Sequence, residues 1–170
     1  MKKLIGITLV TMFLSASVFG QDTSGLQRIS YKQSLAVDNN STFEQQVPAG
    51  PYVLPNHGIQ IFPGETIFIE ISLNNSDIVG FKAVRKIADP KHTLVLSLKQ
   101  VSEKGIHKQM MLTVFNPFEK ELTYRAVMST LRNKNWTETD VWPVQPKLSG
   151  IEMWPDLILS LGLSDWRFEN

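Results

Sequence analysis

Three histidines, four carboxylates near the C-terminus and four tryptophans are the side chains of this chain best suited to chemistry. His57, His92 and His107 stand far apart, and no two share the i, i+2 or i+4 spacing of metal ligands. They are read as three surface histidines. Asp140, Glu152, Asp156 and Asp165 would do acid/base work only if the fold pressed two of them into unequal environments. Their spacing imposes no such convergence, so solvated loop carboxylates are expected. There is no Gly-x-Ser-x-Gly elbow to present a serine nucleophile. Met110-Met111 lacks the further Met or His that a copper site needs, and is read as strand core with one outward neighbour. The expectation is a non-catalytic binding module with no cofactor and no metal.

The tryptophans carry more. Trp136, Trp142, Trp154 and Trp166 all lie in the last 35 residues. An indole buries a large area yet offers a flat face and one N–H donor. The cluster can therefore cap the open end of a core, or stack on a sugar or hold a partner peptide. Trp142-Pro143 and Trp154-Pro155 are extended, because a residue before Pro is driven out of the helical region. The candidate binding residues are Trp142, Trp154, Trp136 and Glu152, with at least one of Trp142 and Trp154 keeping an exposed face.

The N-terminus and the composition bound where such a surface would work. Lys2 and Lys3 precede an apolar run over residues 4–14, broken only by Gly6, Thr8 and Thr11. Val18-Phe19-Gly20 then fits a signal-peptide cleavage site before Gln21, with a cut after Ser17 as the alternative. The run is short for a bilayer span, which takes about 20 apolar residues. Without Lys2 and Lys3, 15 basic residues face 16 acidic ones, a net charge of −1 with His neutral. That balance offers no electrostatic footprint for nucleic acid and no polybasic run for anionic lipid. The chain has no cysteine, which leaves packing to stabilise it without a disulfide framework. A bacterial periplasmic or secreted location is expected, with no membrane span after cleavage.

These side chains must be positioned by strands. Residues 21–46 are polar and weakly patterned, and a flexible N-terminal arm or loosely docked strand is expected there. From residue 47 to 170 a single β-sandwich domain is expected. Ile67, Ile69, Ile71 and Leu73 alternate with Phe68, Glu70 and Ser72, which marks a half-buried strand. Residues 78–87 form a further strand candidate. Leu94, Leu96 and Leu98 repeat the alternation, as do Met110, Leu112 and Val114, and Leu122, Tyr124, Ala126 and Met128. Short strands with turns every ten or so residues argue a sandwich or barrel. Asn116-Pro117 starts a turn, and residues 116–121 are expected to be a hairpin loop joining two adjacent strands. Leu157, Leu159, Leu161 and Leu163 fit a final strand, although Pro155-Asp156 would equally begin a helical turn.

Phe62-Pro63-Gly64-Glu65-Thr66 leading into an alternating strand, together with Leu122-Thr123-Tyr124-Arg125-Ala126, resembles an immunoglobulin-like sandwich. The second segment is similar to its tyrosine-corner strand, with Ala126 where antibody-type domains carry Cys. That resemblance implies an all-β, immunoglobulin-like antiparallel β-sandwich followed by an irregular Trp/Pro-rich C-terminal segment. A second set of residues resembles a group of exported bacterial proteins to which no activity is attached. It consists of Asn116-Pro117-Phe118, Leu122-x-Tyr124-Arg125-Ala126-x-Met128, Pro143-Val144 and Glu152-x-Trp154-Pro155. It implies export and a β-rich fold, and no chemistry. The function expected is protein–protein interaction in the periplasm or cell envelope through sheet edges and loops. The alternative is a carbohydrate- or cell-wall-binding module using a tryptophan platform.

Overall fold

Apolar alternation decides which way each strand faces, and a computed structural model of the chain, describing residues 25–169, places those faces together. The expected signal peptide, residues 1–20, lies outside the described residues. Fourteen strands follow in order. The first five are β1 (Gln27–Arg28), β2 (Tyr31–Asp38), β3 (Ser41–Val47), β4 (Gly50–Pro51) and β5 (Val53–Leu54). Next come β6 (Gly58–Ile61), β7 (Thr66–Asn74), β8 (Asp77–Val84), β9 (Thr93–Glu103) and β10 (Ile106–Phe115). The last four are β11 (Leu122–Thr130), β12 (Thr137–Thr139), β13 (Ser149–Trp154) and β14 (Ile158–Phe168). One sheet has the order β13-β10-β9-β7-β8, and the other β12-β11-β14-β6-β5. The pairings within both are antiparallel, so the protein is an all-β sandwich.

The core sits between the two sheets. Ile67, Ile69, Ile71, Leu94, Leu96, Leu98, Met110, Leu112 and Val114 come from one sheet. Ile59, Ile61, Leu122, Tyr124, Ala126, Leu161 and Leu163 come from the other. Each such side chain contributes about 1.5–3 kcal/mol on burial. The immunoglobulin-like order does not describe this sandwich. In the ABED/CFG arrangement at most two consecutive strands share a sheet, whereas β7, β8, β9 and β10 all lie in one here. Tyr124 stacks on Trp166 within the core, with ring centroids 4.7 Å apart.

β14 enters the middle of its sheet, between β11 and β6. Leu157, just before the strand, and Leu159, Leu161 and Leu163 within it fit one alternation in the sequence, but a register shift opposite Ser129 and Thr130 divides them. Leu161 and Leu163 join the main core, while Leu157 and Leu159 pack with Leu35 in a second cluster. The strand is thus buried on both faces where it begins. That second cluster exists because residues 27–47 are not a flexible arm. β2 and β3 pair as an antiparallel hairpin, and Leu35 and Val47 are buried. The polar residues that disguised this segment are its docking groups. Gln33 Nε2 donates to the Pro63 carbonyl at 2.6 Å and Gln45 Nε2 to the Leu159 carbonyl at 3.1 Å.

The turn at residues 116–121 also departs from expectation. It is a crossing between sheets, since β10 lies in one and β11 in the other. Both edges of β10 are already occupied, by β9 and β13, so β11 has no place beside it. Fully buried Asn116 shapes the crossing. Its Nδ2 donates to the carbonyls of Lys120 (2.8 Å) and Val144 (2.9 Å), and its Oδ1 accepts from the Phe118 amide (3.0 Å).

An earlier crossing between sheets, from β6 to β7, carries a buried ion pair. Arg28 Nε lies 2.5 Å from Glu65 Oε1, with side chains 3% and 8% exposed. Glu65 Oε2 accepts from the Phe62 amide at 2.8 Å, and the guanidinium lies between the Tyr52 and Phe62 rings. Removing one partner of such a pair strands a buried charge. Arg28→Met is therefore expected to destabilise by about 3–5 kcal/mol in urea unfolding. Adding Glu65→Gln should recover at least half of that, because the amide oxygen still accepts from Phe62 and no charge stays buried.

Candidate functional site

The tryptophan-rich segment forms one flank of the sandwich. β12 extends the β11 edge of one sheet and β13 the β10 edge of the other, and residues 140–148 run between them. Pro143 and Pro146 keep this connection out of regular structure. It is pinned at Val144, which exchanges backbone hydrogen bonds with Leu122 at 2.8 and 3.0 Å. The approach demands glycine opposite, because a Cβ on Gly150 would lie 2.8 Å from Val144 Cγ2.

The four tryptophans separate into two pairs. Trp154 is buried, and its Nε1 donates to Thr139 Oγ1 at 2.9 Å, tying β13 to β12 across the gap between the sheets. Trp166 is buried against Tyr124. Burial, with the nearby Glu152 carboxylate, pushes the Tyr124 phenol well above its ordinary range. Trp142 is 79% exposed and Trp136 51%. Of the four candidate residues, then, Trp154 is withdrawn from the surface. Glu152 faces the flank and accepts from the Trp142 backbone amide at 2.7 Å, so it fixes the loop that displays that ring. The rings of Trp136 and Trp142 do not pair with each other among the described aromatic contacts. Trp136 instead lies over Gly162, with Cζ3 3.7 Å from where a Cβ there would be.

Exposed apolar side chains that the sequence reading did not single out lie on and just before β13. Leu148, Ile151 and Met153 are 59%, 56% and 58% exposed. Ile151 and Met153 alternate outward along β13 while Glu152 and Trp154 face the flank. β13 is also a sheet edge, bonded to β10 on one side only. The other edges of the two five-stranded sheets are less available. β5 has two residues and β12 three, and Ala83 of β8 already accepts from the Leu26 amide. The sequence signal for this surface is the alternation Ile151-x-Met153 within the tryptophan-rich segment.

The polar candidates stay apart. His92 Nδ1 is 2.7 Å from Asp89, whose carboxyl this hydrogen bond lowers below its usual range. His57 stacks on Phe81 and His107 contacts Gln100 and Pro155. Asp165 lies 3.6 Å from Arg125, away from the Glu152–Trp142 contact. Among the described residues no cluster of three or more His, Asp or Glu is arranged to hold a metal ion, and no helix is long and apolar enough to cross a membrane. The chain matches no known protein family, no curated protein and no solved structure.

The separation of roles is measurable. Trp154→Ala should cost about 3–5 kcal/mol, as for other truncations of buried aromatic residues. Trp142→Ala should stay within about 0.5 kcal/mol of the parent, as for a surface change. Thermal unfolding of the two variants checks both values.

Proposed function

We propose that the protein is an exported, non-catalytic interaction module of the bacterial periplasm or cell envelope, and that β13 is its working edge. The occupant is an extended segment of a partner protein, added to the sheet as a further strand. The observation that carries this reading is the unpaired edge of β13, with Ile151 and Met153 exposed in alternation, exposed Leu148 directly before it and the Trp142 amide held by Glu152. An edge of this kind recruits strands through its backbone groups, while its outward side chains select the partner. Solvent-exposed apolar side chains gathered on one edge are uncommon in a monomer and mark a contact surface. The sugar-platform alternative draws less support. It asks for flat rings acting together, and Trp154 is buried while Trp136 and Trp142 do not pair.

Site-specific cross-linking distinguishes the two. A photo-reactive residue in place of Met153 should give a defined protein adduct in the envelope fraction. Ile151→Lys should abolish that adduct without lowering the unfolding midpoint, because Ile151 is exposed. No protein adduct, combined with a Trp142-dependent emission shift on adding peptidoglycan fragments, would overturn the proposal in favour of the sugar reading.

A further inference from the structure

The hairpin β2–β3 is tied to the sandwich at its tip by one side chain. Gln100 Oε1 accepts from the Ala36 amide at 2.9 Å, and its Nε2 donates to the Ala36 carbonyl at 2.8 Å. Both atoms of the Gln100 amide are therefore assigned by backbone groups whose own roles cannot change. The same Nε2 lies 3.0 Å from His107 Nδ1, so Nδ1 must accept. On the other side of the ring, His107 Nε2 lies 3.0 Å from the Pro155 carbonyl, which can only accept. The neutral imidazole with its proton on Nε2 satisfies every contact. The imidazolium does not, because it turns an N–H against the Gln100 NH2.

We propose that His107 is a pH-dependent latch, and that its protonation frees the tip of the β2–β3 hairpin. Two responses are open to Gln100 once Nδ1 carries a proton. If the amide keeps its orientation, two donors face each other at 3 Å spacing. If it turns over to offer its oxygen to the ring, both bonds to Ala36 become mismatched. Either way the tip loses its tie. The base of the hairpin keeps other anchors, namely Gln33 to Pro63, Gln45 to Leu159, and the Arg28–Glu65 pair. Opening is thus confined to the tip, and it uncovers Val37 and Phe43 where they pack on the Leu35, Leu157 and Leu159 cluster.

The charged groups around the ring do not override this. Arg132 and Asp156 line the same cleft as His107 and act on an imidazolium in opposite senses. Asp38, at the hairpin tip, accepts from the Asn40 amide, which lowers its carboxyl below the usual range. On the adjoining turn Lys108 pairs with Glu103 at 3.8 Å, and Lys104 stands between them in sequence. The sign follows directly. The docked tip requires neutral imidazole, so docking holds while the ring is neutral and weakens on acidification.

Amide hydrogen exchange, corrected for intrinsic rates, reads the effect. Between pH 7.5 and pH 5.0 the protection of the Leu35, Ala36 and Val37 amides should fall by roughly tenfold, the scale of one lost hydrogen-bonded tie. The Leu96 and Leu112 amides in the core should hold. His107→Asn places a non-titrating acceptor oxygen near the Nδ1 position, and its tip protection should not change with pH. Gln100→Leu should leave the tip equally open at both pH values. Tip protection in the parent that is indifferent to pH would overturn the proposal. So would an acid loss that persists in His107→Asn, since His57 and His92 remain in that variant.

Discussion

The buried Arg28–Glu65 pair is the interaction on which the arrangement of layers depends. Glu65 stands in the chain's first passage from one sheet to the other, between β6 and β7. Its carboxylate holds Arg28 and caps the Phe62 amide, while its backbone carbonyl accepts from the Leu98 amide at 3.1 Å. Burying two charges costs several kcal/mol per ion, and the cost is offset only when the geometry is good and the remaining polar sites are satisfied. Here Arg28 Nη2 donates both to Glu65 Oε2 (3.0 Å) and to the Gln60 carbonyl (2.9 Å), and two aromatic faces enclose the guanidinium. Desolvation first, and then the Glu65 charge, push the ionisation of half-buried Tyr31 upward. The bonds made by Arg28 and Glu65 join β1, β6, the crossing turn and β9, and so reach both sheets.

Asn116 does at the second crossing, with neutral hydrogen bonds, what Glu65 does at the first. Its amide reaches both the crossing turn and Val144, so it also positions the connection that displays Trp142. The flank follows from these constraints. Val144 is held against Leu122, Gly150 lets it approach, and Trp154 ties β13 to β12. With its inner face closed in this way, β13 has its outward side chains and one backbone edge left over. The exposed apolar edge is therefore a consequence of how the sandwich is shut.

How much of this was legible in the sequence depends on the range of the interaction responsible. The inner faces of β7, β9, β10 and β11 were legible because alternation is local: Ile69, Leu96, Leu112 and Tyr124 fall in one cluster. The sheet partners were not, and residues 116–121 show why. A turn signal says that the chain reverses, but whether it stays in its sheet depends on β13, some thirty residues later, taking the free edge of β10. The hairpin was hidden because Gln33, Gln45 and Arg28 are polar types that usually mean solvent, and here they dock by hydrogen bonds to distant backbone. The clustering of the tryptophans was legible, but not its division into buried and displayed rings. Trp154 and Trp142 both precede proline, and only the position of Thr139 and of the sheet edge separates a core ring from a displayed one.

Taken together, the chain builds a stiff sandwich whose N-terminal hairpin covers one apolar cluster and whose C-terminal edge leaves another uncovered. The binding reading rests on that edge being the place where a partner strand adds. Comparing amide exchange of the protein alone and in its native envelope fraction tests it most directly. The account predicts slowed exchange concentrated in β13, residues 149–154, with little change at the edge strand β8. Protection that falls elsewhere, or none on β13 while the fold stays intact, would contradict it.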